Sequence, residues 1–238
     1  MKAVILAGGI GVRLRPFTFS IPKPLLPIGE KPILEIIINR LKKQGFKDVV
    51  MAIGYKSKMI QAYFGDGSEF GINITYLIEK RPFGTAGPLV QFRKQISLDK
   101  NEPLILMNGD ILTSLNFKKM VKYHKDNNLA ITVGVKNINE KNAYGIIDIK
   151  GKMVNRIVEK PFYNQSVSAG IYIISFNVLK EIPANRFFTM PNLINKLTLK
   201  GISIGAYNIK EFWVGMENLK YFEDIHNNVA IRKEIIKG

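Results

Sequence analysis

Short apolar runs alternate with amphipathic stretches along the first half of the chain, and this alternation restricts the fold more than any other feature. Lys2–Ala7, Asp48–Ile53, Asn73–Leu77 and Pro103–Met107 have the length and composition of buried strands. Between the first two, Pro32–Gln44 predicts a helix. A proline stands near its start, Ile33, Ile37 and Leu41 share a face, Lys42 and Lys43 occupy the last turn, and Gly45 follows. Lys56–Tyr63, Thr85–Gln95 and Phe117–Asn127 predict further helices. This is the β-α-β rhythm of a doubly wound α/β sheet. The rhythm then changes. Ala130–Val135, Gly145–Ile149, Met153–Glu159 and Gly170–Ile174 are strand-like with little helix between them, and Lys150-Gly151-Lys152 marks a hairpin turn. They predict a mostly antiparallel addition to the same sheet. Asn218–Ile236 predicts a closing helix, with Asn218 as N-cap and Leu219, Phe222, Ile225 and Val229 on one face. No linker, repeat or low-complexity segment divides the 238 residues, so a single domain over residues 1–238 is expected.

Composition excludes several chemistries. Cysteine is absent, which removes disulfides, thiolate catalysis and cysteine-zinc sites. The two histidines, His124 and His226, each fall in a predicted helix and are expected to be ordinary helix or surface residues. No apolar run reaches the roughly 18 residues that span a bilayer, and the N-terminal run ends in glycines instead of a cleavage site. A cytoplasmic protein is expected, with no membrane partner. The formal charge of +16 would suit nucleic acid, an anionic membrane or phosphorylated small substrates. The lysines are scattered, however, and no nucleic-acid recognition motif accompanies them. Charge alone decides nothing here.

Two loops suggest phosphate chemistry. Leu6-Ala7-Gly8-Gly9-Ile10-Gly11-Val12-Arg13-Leu14 runs from a strand into a glycine-rich turn. Glycines let backbone N–H groups approach a phosphate, and Arg13 adds a forked cation. No Gly-Lys-Ser/Thr follows, so this is not a Walker loop, and the third glycine of a dinucleotide fingerprint is missing at Leu14. On its own the segment reads equally well as a plain turn. Pro22-Lys23-Pro24-Leu25-Leu26-Pro27 follows, stiffened by its prolines, and would present Lys23 as a point charge. Taken alone, it could be a proline-rich surface crossing.

Together with Lys31-Pro32-Ile33, these motifs resemble the signature of the sugar-1-phosphate nucleotidyltransferases. The resemblance continues through Glu79-Lys80-Arg81-Pro82-Phe83-Gly84-Thr85, similar to that family's base-reading loop, and Asn108-Gly109-Asp110, similar to its metal motif. It implies a Rossmann-like three-layer α/β fold with a mixed, mostly parallel sheet, divided into a nucleotide part (1–115) and a sugar-phosphate part (116–238). It also implies that a nucleoside triphosphate is bound by Leu6, Ala7, Gly8, Gly9, Gly11, Arg13, Lys23, Glu79, Gly84, Thr85, Asn108 and Gly109. Mg²⁺ is implied at Asp110, and Tyr144, Gly145, Glu159, Lys160, Ala169 and Gly170 are implied on the sugar 1-phosphate. Arg13, Lys23 and Lys160 are then the cations that act in catalysis. At the base-reading position Glu79 only accepts hydrogen bonds, and guanine offers two adjacent donors, so GTP is favoured over UTP or dTTP. Cytosine or adenine could also donate to it. The alternative reading of Glu79 is a solvated charge at a strand end.

The C-terminal motif departs from the family pattern. The usual second metal Asp, two residues after Trp, is Gly215 here, and an acid reappears at Glu217, as in the cytidylyltransferase branch. Glu217 is therefore expected to be the second Mg²⁺ carboxylate. A first-turn helix acid is the alternative. The expected function is transfer from GTP to a mannose- or heptose-like 1-phosphate, with a CDP-sugar synthase or an inactive binding module as alternatives. The oligomeric state is left open.

Overall fold

The computed structural model describes residues 1–96, 102–216 and 219–228. β1 (Ala3–Ala7) opens the chain, and α1 (Phe17–Ser20) is a single turn within the long loop that follows it. β2 (Pro27–Ile28) and β3 (Lys31–Pro32) form a minimal hairpin leading into α2 (Ile33–Lys43). Then come β4 (Asp48–Ile53), α3 (Ser57–Phe64), β5 (Asn73–Ile78), α4 (Pro88–Gln95), β6 (Leu104–Asn108), β7 (Ile111–Thr113) and α5 (Phe117–Asp126). The second half holds β8 (Ile131–Lys141), β9 (Ile146–Lys150), β10 (Met153–Val158), β11 (Phe162–Ile174), α6 (Met190–Leu199), β12 (Ile204–Asn208), β13 (Trp213–Gly215) and α7 (Leu219–Asn227).

Seven strands form the central sheet in the order β12-β8-β11-β6-β1-β4-β5. β1, β4, β5 and β6 are mutually parallel, β11 runs antiparallel to both β6 and β8, and β12 pairs parallel with β8. Alternation along β1 shows why the sheet is covered on both faces. Ala3, Ile5 and Ala7 enter one core with the buried stripe of α2, including Ile33, Ile37 and Leu41. Val4 points the other way, into a core with Leu89 and Phe92 of α4 and Leu193 and Leu197 of α6. Strands buried on both faces read as continuous apolar runs, as these do. The result is the expected three-layer α/β/α arrangement with a mixed sheet.

Several boundaries differ from expectation. The helix expected at Thr85 starts only at Pro88, because the Thr85 hydroxyl accepts the Met190 N–H at 2.8 Å and holds that residue in a turn. β8 continues to Lys141 and β11 begins at Phe162, since the two pair from Phe162 opposite Lys141 to Ile174 opposite Ile131, with a register shift between Ser168 and Tyr172. Their polar residues Asn137, Asn139 and Glu140 conceal the strand from a hydrophobicity pattern. α6 and β12 were not anticipated. α6 is started by Thr189, which forms a capping box with Asn192, and its proline sits in the first turn. The closing helix is described from Leu219 to Asn227; the expected N-cap Asn218 and residues 229–236 lie outside the described residues. His124 belongs to the core, not the surface. It is 3% exposed, with ring nitrogens 2.9 Å from Thr132 Oγ1 and 2.9 Å from Ser175 Oγ. Ser175 donates onward to the Leu129 carbonyl, so its oxygen accepts from His124 Nε2–H. Burial pulls the His124 pKa down to about 4, and Lys125 adds to the shift.

Candidate active site

In an open α/β sheet the carboxyl ends of the strands are where loops can converge on a ligand. Here Gly8 follows β1, Gly54 and Tyr55 follow β4, Glu79 follows β5, and Gly109-Asp110 follows β6. These segments line an open cleft of about 700 Å³. Leu6, Ala7, Gly9, Gly11, Lys23, Gly84, Thr85 and Asn108 line it as well. An adjoining recess of about 290 Å³ is shared by Gly11, Lys23 and Asp110 and adds Arg13. Every residue that the resemblance assigned to the nucleotide therefore borders this one region.

The glycine loop is braced from behind. Thr18, 1% exposed, donates its hydroxyl to the Gly11 carbonyl at 2.9 Å. The Tyr55 hydroxyl in turn donates to the Thr18 carbonyl at 3.0 Å. Gly8 is bare for a steric reason, since a methyl group there would lie 2.9 Å from Glu79 Oε2 and 3.3 Å from Gly54 N. Glu79 is thus packed directly under the loop. Its backbone N–H continues the β4–β5 pairing to Ile53 O at 2.8 Å. Burial raises its carboxyl pKa above the ordinary range, opposed by a hydrogen bond from the Phe83 N–H. Its Oε1 is buried without a hydrogen-bond partner among the described residues. A buried acceptor left unpaired is costly.

Lys23 and Asp110, 87 residues apart, meet side chain to side chain at the join between cleft and recess. The chain near the C-terminus is tied to the same point. β13 pairs with β7, and the Met216 N–H donates to the Asp110 carbonyl at 2.9 Å. Trp213 Nε1 donates to Ala169 O at 2.9 Å. Gly170, at φ +68°, lies against Asn108; a methyl group there would come within 2.7 Å of Asn108 Nδ2. The donor set suits Mg²⁺. Asp110 supplies hard oxygens at the cleft, and Mg²⁺ normally takes one or two carboxylates, completing its shell with phosphates and water. Among the described residues no group of three or more His, Asp or Glu forms a closed metal cage.

The model of the nucleotidyl transferase family matches residues 2–228. The chain belongs to that family. It is 33% identical over 231 residues to the mannose-1-phosphate guanyltransferase of Yarrowia lipolytica, covering 93% of this chain and 62% of the relative. To the mannose-1-phosphate guanylyltransferase catalytic subunit beta of Xenopus tropicalis it is 33% identical over 227 residues, covering 93% and 62%. The chain spans between 52% and 63% of the length of the curated relatives it matches. Among solved structures it resembles HddC from Yersinia pseudotuberculosis, with a TM-score of 0.74 and 25% identity over 95% of this chain and 98% of that one. A second structure of HddC, complexed with GMP-PN, has a TM-score of 0.72.

In this family member the residues expected on the sugar side fall into two groups. Gly170 adjoins the cleft through Asn108, and Ala169 beside it is held by Trp213. Tyr144, Gly145, Glu159 and Lys160 gather at the root of the β9–β10 hairpin, outside the cleft lining. There a methyl group on Gly145 would lie 2.9 Å from Glu159 Oε2, and Lys160 Nζ is 3.9 Å from Glu159 Oε1. Lys160 adopts φ +44°, which turns the chain sharply before Pro161. Glu217 lies outside the described residues. Sequence reasoning passed over Thr18, Tyr55 and Phe187. Tyr55 carried a signal, since it follows an apolar strand at its carboxyl end. Phe187 carried none in its local sequence. No helix among the described residues is long and apolar enough to cross a membrane.

Proposed function

We propose that this chain transfers a guanylyl group from GTP to a sugar 1-phosphate, giving a GDP-sugar and pyrophosphate. The observation that carries the base assignment is Glu79, which borders the cleft and has a buried oxygen with no hydrogen-bond partner among the described residues. Guanine N1–H and N2–H are adjacent donors that a carboxylate can accept together, whereas uracil and thymine place acceptors on both sides of one donor. The guanyltransferase relatives and the GMP-PN complex of HddC support the same base. The relatives named for mannose 1-phosphate make a mannose-like sugar the first choice, with heptose-like phosphates next.

In the proposed reaction an oxygen of the sugar phosphate attacks the α-phosphorus, the bond to the bridging oxygen of the β-phosphate breaks, and pyrophosphate leaves. Catalysis is positioning and charge neutralisation. Arg13 and Lys23 border the recess in which the leaving pyrophosphate would sit. Asp110 would hold Mg²⁺, assisted by Glu217. Support for Glu217 is that its neighbour Met216 is hydrogen-bonded to Asp110. Bound there, Mg²⁺ would polarise the α-phosphate. Lys160 would guide the attacking phosphate and Glu159 and Tyr144 the sugar, supported by the contact between Gly145 and Glu159. A reaction that draws on the nucleoside triphosphate pool would place the protein in the cytoplasm.

Melting curves with GTP, CTP, UTP, dTTP and ATP, each with Mg²⁺, test the base assignment, because only a ligand of the native state raises apparent stability. GTP should give the largest shift. A larger shift with CTP would favour the cytidylyltransferase alternative, and no shift with any of the five would contradict the proposal.

A further inference from the structure

An exposed phenylalanine stands at the edge of the cleft without an assigned role. Phe187 is 67% exposed, yet it borders the nucleotide cleft from a segment about a hundred residues away from the base loop. Its backbone is rigidly supported. Phe188 N–H donates to Phe83 O at 2.8 Å, and Ala86 N–H donates to Phe188 O at 3.0 Å. Gly84 is bare because any side chain would strike the Phe188 backbone, 2.6 Å from its carbonyl oxygen. On the other side, Phe188 packs into the second core and Thr189 caps α6. In this extended pair the first ring faces the cleft while the second anchors it. Single exposed apolar side chains are ordinary on a protein surface, so it is the placement of this ring at the cleft on a hydrogen-bonded backbone, not its exposure, that carries the argument.

We propose that Phe187 is the platform on which the base of the bound nucleotide stacks, while Glu79 reads the edge of that base. The inference rests on the nucleotidyl-transfer reading above and divides its binding site into two functions. Every base has a π-face, so a stacking ring supplies affinity without choosing among bases. Edge contacts supply the choice. Phe188, the next residue along, is joined to the base loop by backbone hydrogen bonds to Phe83 and Ala86, so the backbone that carries the platform is tied to the loop that carries the reader.

The test measures dissociation constants of GTP, ATP and pyrophosphate, each with Mg²⁺, by titration calorimetry on the wild type, Phe187→Ala and Phe187→Trp. Phe187→Ala should weaken GTP and ATP by a similar factor, roughly 5- to 150-fold, the range expected for loss of one base–aromatic stack. Phe187→Trp should restore binding, and pyrophosphate, which has no base, should bind all three proteins equally. GTP binding by Phe187→Ala within twofold of wild type would overturn the proposal. So would an equal loss for pyrophosphate, which would mean a distorted loop. If the wild type prefers another triphosphate, the guanine assignment falls and the same ratio, read on that triphosphate, still decides the role of Phe187.

Discussion

Replacing Glu79 by Gln isolates the part of the account that names the base. The substitution preserves shape and can keep the bond from the Phe83 N–H. It removes the charge and turns one of the two acceptors into a donor, which would face a guanine donor. Hydrogen bonds to a charged group contribute about 1.5–3 kcal/mol each, so losing one should weaken GTP roughly 10- to 150-fold. UTP should gain in relative affinity, since an amide can both donate and accept. The empty protein should keep its melting temperature, because the change removes a buried charge with an unpaired oxygen. Calorimetric titration with GTP, inosine triphosphate and UTP reads the two affinity effects, and a melting curve without ligand reads the third. Inosine lacks the N2 donor, so wild type should bind it more weakly than GTP and Glu79→Gln should discriminate less between them. The pH dependence has a definite sign. Burial raises the Glu79 pKa, and guanine needs the ionised form, so GTP binding should weaken on acidification at a higher pH than an ordinary glutamate would produce. In the empty protein the folded state retains its proton longer than the unfolded chain, so the Glu79 contribution to stability declines as pH rises through that window. Unchanged GTP affinity in Glu79→Gln would refute the assignment.

Other consequences concern different parts of the molecule. Asp110→Asn and Lys23→Met should each lower the rate of nucleotidyl transfer by two orders of magnitude or more, as loss of preorganised charge does elsewhere, and steady-state pyrophosphate release measures it. Thr18→Val removes the hydroxyl that holds Gly11 and should lower activity about tenfold while Thr18→Ser retains it; equal activity in the two would contradict the bracing role. His124 is kept neutral in the fold with a pKa of about 4 against an ordinary 6.5. Its contribution is therefore complete above the unfolded value and is lost as pH falls from 6.5 towards 4, by up to about 3 kcal/mol. Urea unfolding across that range should show the decline, and His124→Gln should flatten it.

How much of this was legible in the sequence depended on whether the determining interactions were local. The parallel half of the sheet could be read directly, because strands covered on both faces are continuous apolar runs. So could the bed of the cleft, because Gly8, Gly11 and Gly109 sit where strands end. The long β8–β11 ladder was underestimated, since its outer half is largely exposed and mixes polar residues with Ile138, Phe162 and Tyr163, so no hydrophobic alternation marks it and pairing defines it. α6 was signalled by Thr189 and Pro191, but weakly, by capping residues without a strong periodic stripe. Thr18 and Phe187 could not be found locally. The value of Thr18 lies in reaching Gly11, and that of Phe187 in the backbone bond its neighbour Phe188 makes to Phe83 across about a hundred residues. The buried state of His124 likewise depends on Thr132 and Ser175, which its own helix does not reveal.

The central claim is most directly tested by incubating the protein with GTP, Mg²⁺ and mannose 1-phosphate and following phosphorus resonance signals. The account predicts that pyrophosphate and a GDP-sugar appear together in equal amounts, with heptose 1-phosphates as the next acceptors to try. If GTP binds but neither product forms with any sugar 1-phosphate, the chain binds nucleotide without transferring it, and the proposed function is contradicted.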